Sequence, residues 1–185
     1  LYGILSMAFH RPTENTKEML GAVFKALGVG KDIEESVEDL EVEYTRLFVG
    51  PDRVLCPPYE SVYREDVSEL ERGLLMGPST VEVAKWYNSM GLRLKEDFKD
   101  LPDHIAVELE FMHYLCREEL RALDEGDAGR AKRLRENQKR FFEKHLYMWV
   151  PMFVSRIFEN TDSEFYKLAA LLLKQFIEEE KEYFS

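Results

Sequence analysis

Glu110 and His113 stand three residues apart, a spacing that places a carboxylate and an imidazole on one face of a helix. Di-iron bundles use two such Glu-x-x-His pairs and two further Glu residues in a helical core. Glu108 follows His104 by one helical turn and makes another carboxylate–imidazole pair. The set is incomplete, because Met7 and Phe142 stand three residues before His10 and His145, where a second Glu is needed. A His-x-x-x-His pair for zinc is absent as well. Gly28-Val29-Gly30-Lys31 has the form of the end of a phosphate loop. Lys25 stands where the first Gly of that loop belongs, however, and Asp32 where Ser or Thr belongs. A helix C-cap explains the glycines better. Ser61 and Cys56 have no Gly-x-Ser-x-Gly context and no base at a telling distance. The expectation is a protein without catalytic residues, resident metal or cofactor.

One loop offers chemistry of another kind. Cys56-Pro57-Pro58-Tyr59-Glu60-Ser61-Val62-Tyr63 combines two prolines, two tyrosines and a carboxylate. Consecutive prolines stiffen a loop, so little entropy is lost when a partner docks on it. Tyrosine supplies apolar area with a hydrogen-bonding tip, which suits a peptide groove. The same aromatics would equally serve to tuck the loop onto the core.

The elements that must position these residues are helical. Ile33, Val37, Leu40, Tyr44, Leu47 and Phe48 recur at intervals of three and four, with Asp32 as the expected N-cap and Gly50-Pro51 as the stop. Ile105, Leu109, Met112, Cys116, Leu120 and Leu123 form a second stripe, stopped by Gly126, and Phe165, Leu168, Leu172 and Phe176 form a third. Weaker helical segments cover 13–28, 79–90, 129–145 and 147–159. Sustained period-two alternation is absent, so an all-α fold is expected. The non-helical stretches 50–63 and 91–101 are long enough to carry function. The second reads as a hinge between N- and C-terminal halves of one domain spanning 1–185.

Composition narrows the classes. A hydrophobic fraction of 45% with 12% aromatics builds a core, and excludes a disordered or disulfide-stapled chain. The net charge of −11 repels phosphate, so neither a nucleic acid nor an anionic membrane is an expected partner. A basic peptide fits better. The longest stretch free of Asp, Glu, Lys and Arg, His145 to Ser155, is too short to span a bilayer and contains Pro151. The opening segment, Leu1 to Phe9, has no basic lead-in and no cleavage-site pattern, and reads as a core helix entered partway. Two cysteines 60 residues apart favour a reduced, cytoplasmic setting. The acidic run from Lys31 to Glu43 and the basic run from Asp127 to His145 read as solvated helix faces.

Three groups of residues then carry a resemblance. Tyr44-Thr45-Arg46-Leu47-Phe48, Gly50-Pro51 and Pro57 to Tyr63 resemble the first signature of the TorD/DmsD (NarJ-related) redox-enzyme maturation chaperones. Leu101-Pro102-Asp103-His104 followed by Val107-Glu108-Leu109-Glu110-Phe111-Met112 is similar to their second, with Leu101 where the family often has Glu. His145-Leu146 with Trp149 and Pro151, then Phe165-Tyr166, resemble a weaker C-terminal pattern. The resemblance implies an all-helical, non-catalytic protein that binds a twin-arginine signal peptide. It would hold the apo catalytic subunit of a molybdopterin oxidoreductase in the cytoplasm until its cofactor is inserted. Domain-swapped oligomers and weak guanine-nucleotide binding are also associated with the family, and the residues themselves point to neither.

On this reading the Pro57–Tyr63 loop and the helix start at Asp103-His104 face one groove. Tyr59 and Tyr63 bury the apolar segment of the leader, while Glu60 and Asp103 receive its arginines. Pro57, Pro58, Ser61, Tyr44, His104 and Glu108 complete the expected site. A generic helical interaction or scaffold protein is the competing class, with a di-iron enzyme a distant third.

Overall fold

The computed structural model describes residues 1–29, 33–50, 53–66, 69, 73–94 and 100–185. Among them no strand occurs, and the helices are α1 (Tyr2–Ala8), α2 (Glu14–Ala26), α3 (Val37–Tyr44), α4 (Glu60–Tyr63), α5 (Pro78–Ser89), α6 (Ile105–Asp124), α7 (Ala128–Phe141), α8 (Tyr147–Asn160) and α9 (Glu164–Phe184). Two π turns, Thr45–Val49 and Phe142–Leu146, extend α3 and join α7 to α8. The all-α expectation therefore holds, and no helix among the described residues is long and apolar enough to cross a membrane.

Local chemistry sets most boundaries. Ser36 and Asp39 form a reciprocal capping box, which starts α3 at Val37. The expected start at Asp32 lies outside the described residues. Gly28 ends α2 with φ of +67°, as a C-cap glycine does, while Gly30 and Lys31 also lie outside the described residues. Gly126 ends α6 in the same left-handed conformation. After the first π turn, Gly50 has φ of +62°, and a Cβ there would stand 2.7 Å from the Arg53 carbonyl oxygen. Only glycine lets the chain double back at this point. The Cys56 N–H then donates to the Leu47 carbonyl at 2.8 Å and sets the course of the following loop.

The core runs from Tyr2 to Phe184 and draws on both halves of the chain. α1 packs on α6 and α9, α6 on α7, and α8 on α9. Leu5, Phe9, Phe24, Phe153, Phe165 and Tyr166 are buried among these faces. The N-terminal helix thus lies against C-terminal ones. Within the expected hinge, Gly91 turns the chain with φ of +73°, and residues 95–99 lie outside the described residues.

Candidate functional site

The Pro57–Tyr63 loop and the start of α6 are joined by backbone. The Ile105 N–H donates to the Pro58 carbonyl at 2.8 Å and the Glu60 N–H to the Asp103 carbonyl at 3.0 Å, an antiparallel bridge that pairs Tyr59 with His104. Pro57 and Pro58 have no N–H to leave unpaired as they enter it. Asp103 closes the junction: its Oδ2 accepts the Ser61 N–H at 2.9 Å at the start of α4. His104 caps α6 through Nδ1, which accepts the Ala106 N–H at 3.1 Å. The first two signature segments are therefore one structural unit.

The acids expected to receive arginines are inside it. Glu60, Asp103 and Glu108 each have 0% exposure. Glu60 accepts Arg64 at 2.5 Å and contacts His145 Nδ1 at 2.8 Å. Glu108 accepts the indole N–H of Trp149 at 3.1 Å. Burial raises the pKa of Asp103 against the opposing hydrogen bond from the Ser61 N–H, and burial next to Glu60 raises that of Glu108 far more. Tyr63 is also inside, stacked 5.4 Å from Trp149. Tyr44, Pro58 and Ser61 are buried with it. These side chains, expected to contact a leader, have little or no open surface in this structure and build the wall behind the loop.

What remains open lies on the other side of His104. Tyr59 and Pro57 are half-buried. The Tyr59 hydroxyl donates to Asp100 at 2.6 Å, and its ring stands edge-on to the His104 imidazole. The Asp100 carboxylate is 3.8 Å from His104 Nε2 with its side chain 35% exposed. His104 stacks with His10, which pairs with the exposed Glu110 at 3.5 Å. Burial pushes the His104 pKa down to about 4, so its ring is neutral at pH 7. Beside this group lies a hollow of about 420 Å³ between α5 and α6, lined by His10, Tyr87, Leu92, Leu94, Val107, Glu110, Phe111, Tyr114 and Arg93. The Tyr87 hydroxyl donates to the Pro102 carbonyl at 2.9 Å and fixes the two helices there.

Sequence reasoning missed His10, Asp100 and this hollow. Leu92 and Leu94 beside Asp100 were the available signal, an apolar pair inside a charged stretch. Glu110 and His113, weighed as iron ligands, face different neighbours: Glu110 meets His10, whereas His113 lies against Gly3. Among the described residues no three His, Cys, Asp or Glu side chains are grouped to hold a metal. Cys56 is buried and its thiol pushed up to about 12, which leaves it a poor nucleophile. A second hollow of about 610 Å³ between α5 and α7 is lined by polar side chains around Trp86, including a Lys144–Glu82 pair. It offers little apolar surface for a peptide.

Known proteins share this architecture. The chain is 33% identical over 129 residues to the selenate reductase assembly chaperone protein of Thauera selenatis, covering 69% of this chain and 62% of that protein. It is 31% identical to the chlorate reductase assembly chaperone protein of Ideonella dechloratans, covering 85% and 70%. Chaperone protein TorD of Vibrio cholerae is 26% identical, with coverages of 85% and 67%. The crystal structure of a redox enzyme maturation protein from Archaeoglobus fulgidus superposes with a TM-score of 0.63 at 25% identity, covering 96% of this chain and 91% of that one. The family described as nitrate reductase delta subunit matches residues 8–155, and the chain belongs to that family.

Proposed function

We propose that the protein is a cytoplasmic maturation chaperone, not an enzyme. It binds the twin-arginine signal peptide and the apo catalytic subunit of a molybdopterin oxidoreductase before export. One observation carries the reading: the bridged unit of Tyr59 and His104 lies beside a largely apolar hollow, joined to it through His10, with the carboxylates of Asp100 and Glu110 close by. A twin-arginine leader has the complementary pattern of two guanidiniums next to an apolar segment. The assembly roles named for the selenate and chlorate reductase relatives point the same way.

In this arrangement the leader's apolar segment lies along Leu92, Leu94 and Tyr114, and its arginines meet Asp100 and Glu110. Pro57 and Tyr59 supply the loop edge. Glu60, Asp103 and Glu108 act indirectly, by holding that loop to α6. The protein works as a monomer, or as a dimer that exchanges halves about 91–101.

The test is titration with a fluorescent twin-arginine leader and its double-Lys counterpart. A guanidinium fork binds a carboxylate through two hydrogen bonds and an ammonium through one point charge. At exposed carboxylates that difference corresponds to roughly three- to tenfold in affinity. Equal binding of the two peptides would remove leader specificity and leave a generic interaction protein.

A further inference from the structure

The interior behind the loop holds more polar atoms than its hydrogen bonds use. Glu60 and Glu108 are both fully buried, and each lies within the electrostatic influence of the other. Glu60 has taken the nearby cation and imidazole, with Arg64 on one oxygen and His145 on the other. Glu108 has the Trp149 N–H on Oε2, while Oε1 has no partner among the described residues.

The groups facing Glu108 come from every element around it. Glu60 comes from α4, with Arg64 just beyond it; Asp103 precedes α6; Tyr87 comes from α5; His145 comes from the second π turn; and Trp149 comes from α8. The guanidinium in this set bonds Glu60, not Glu108. A carboxylate in such a place has a like charge as its neighbour, one hydrogen bond and no counter-ion, which strongly favours the neutral acid. A proton on Oε1 removes the repulsion and turns the unpartnered oxygen into a donor.

We propose that Glu108 is a neutral carboxylic acid whose O–H donates to Glu60, a positioning residue that ties α4 to α6 and, through Trp149, to α8. The shared proton links all three signature segments, because His145 and Trp149 belong to the C-terminal one. His145 reaches Glu60 from a π turn, a rare geometry found mostly at functional sites. Burial first, and Glu60 second, hold the Glu108 pKa well above the usual carboxylate range.

A proton held in the folded chain and lost in the unfolded one makes stability fall as pH rises. The unfolded side chain ionises near 4.5, so above that pH folding takes up a proton. The folding constant then drops by up to about tenfold per pH unit from this group. Glu108→Gln keeps a donor for Glu60 and a carbonyl for Trp149, and cannot ionise. Urea unfolding of wild type and E108Q at about pH 6 and about pH 8 isolates the effect from all other titrating groups. The ratio of the two folding constants should shift toward E108Q across that interval, by at most about a hundredfold, the limit for one proton over two pH units. Parallel behaviour of the two proteins would overturn the proposal.

Two further measurements keep it exposed. The infrared spectrum of the wild type at neutral pH should contain a protonated-carboxyl band that E108Q lacks; a difference spectrum without one overturns the assignment. Glu108→Ala removes both donor and acceptor and should be less stable than E108Q at both pH values. Equal stability of the Ala and Gln variants would mean that the hydrogen bond to Glu60 does no positioning. No peptide enters these experiments, so their outcome is independent of leader binding.

Discussion

Two acidic neighbourhoods flank the same helix start and do opposite jobs. Behind the loop, Glu60, Asp103 and Glu108 are fully buried and engaged by Arg64, His145, Ser61 and Trp149. In front of it, Glu110 is exposed and Asp100 half-buried, with Tyr59 and the two imidazoles between them. Residue type does not separate them; solvent does. A buried carboxylate is stabilised by fixed internal partners and is costly to strip of them. One nearer solvent is worth less to the fold and can trade its partners for a guanidinium from outside.

The sharpest way to break this contrast is to remove an internal partner. Arg64 has a nearly buried side chain that joins Glu60, Asp66 and the Lys144 carbonyl. Arg64→Ala leaves Glu60 in the interior without its cation, and should cost about 3–5 kcal/mol of stability in urea unfolding. A loss under about 1 kcal/mol would place Glu60 in the exposed class after all.

Asp103→Ala comes next. It strips the acceptor from the buried Ser61 N–H at the start of α4, a cost of roughly 1–3 kcal/mol. Leader affinity should fall tenfold or more as well, about 1.4 kcal/mol per decade, because α4 and the loop lose their anchor on α6. Asp103→Asn keeps a carbonyl oxygen for Ser61 and should recover most of both. A receptor carboxylate that bound arginine directly would not be rescued by Asn, so the pair of variants tells indirect support from contact.

The helical layout was legible because periodicity and caps are local. The stripe from Ile105 to Leu123 with its Gly126 stop matches α6 closely, and the tail stripe continues as α9 to Phe184. The start of α3 was misplaced, although Ser36 and Asp39 carry a capping-box spacing that outranks Asp32. The π turns left no periodic trace, since five residues are too few to establish a period of their own. At the site, sequence paired two segments that the structure bridges, but which acids face out is not written in their spacing. Glu60 and Asp103 sit among prolines and tyrosines, a setting equally suited to a groove wall and to a core. The Ser61 N–H on Asp103 and the His145 ring on Glu60 come from 42 and 85 residues away. Such pairings are tertiary facts that no window of spacing contains.

A smaller effect comes from acid. The His104 pKa is lowered from 6.5 to about 4 by burial, so protonation opposes the fold. Below about pH 6.5 the unfolded chain binds the extra proton, and stability falls toward pH 4 by up to about 1.4 kcal/mol per pH unit. His104→Asn preserves an N-cap acceptor for Ala106 without titrating, so its pH profile should be flatter than the wild type over that range. Identical profiles would show that the imidazole is solvated and belongs with the open side. Glu108 works in the opposite direction, weakening the fold as pH rises, so the two groups oppose one another between about pH 4.5 and 6.5.

The smallest change in stability, and the closest test of the open side, belongs to Asp100→Asn and Glu110→Gln. Glu110 is exposed and Asp100 half-buried, and neither substitution removes core volume, so each should alter stability by less than about 1 kcal/mol. Their effect should appear in leader binding, where each exposed guanidinium contact is worth about 0.2–1 kcal/mol, up to roughly fivefold in affinity. Glu38→Ala supplies the control, an exposed acid in the first turn of α3, away from the groove. It carries the same charge through the same solvent, and differs only in lacking an apolar channel and the paired imidazoles beside it. A leader held by diffuse negative charge would weaken equally in all three variants and more steeply at low salt. A leader held in the groove would ignore Glu38 and respond to Asp100 and Glu110 alone.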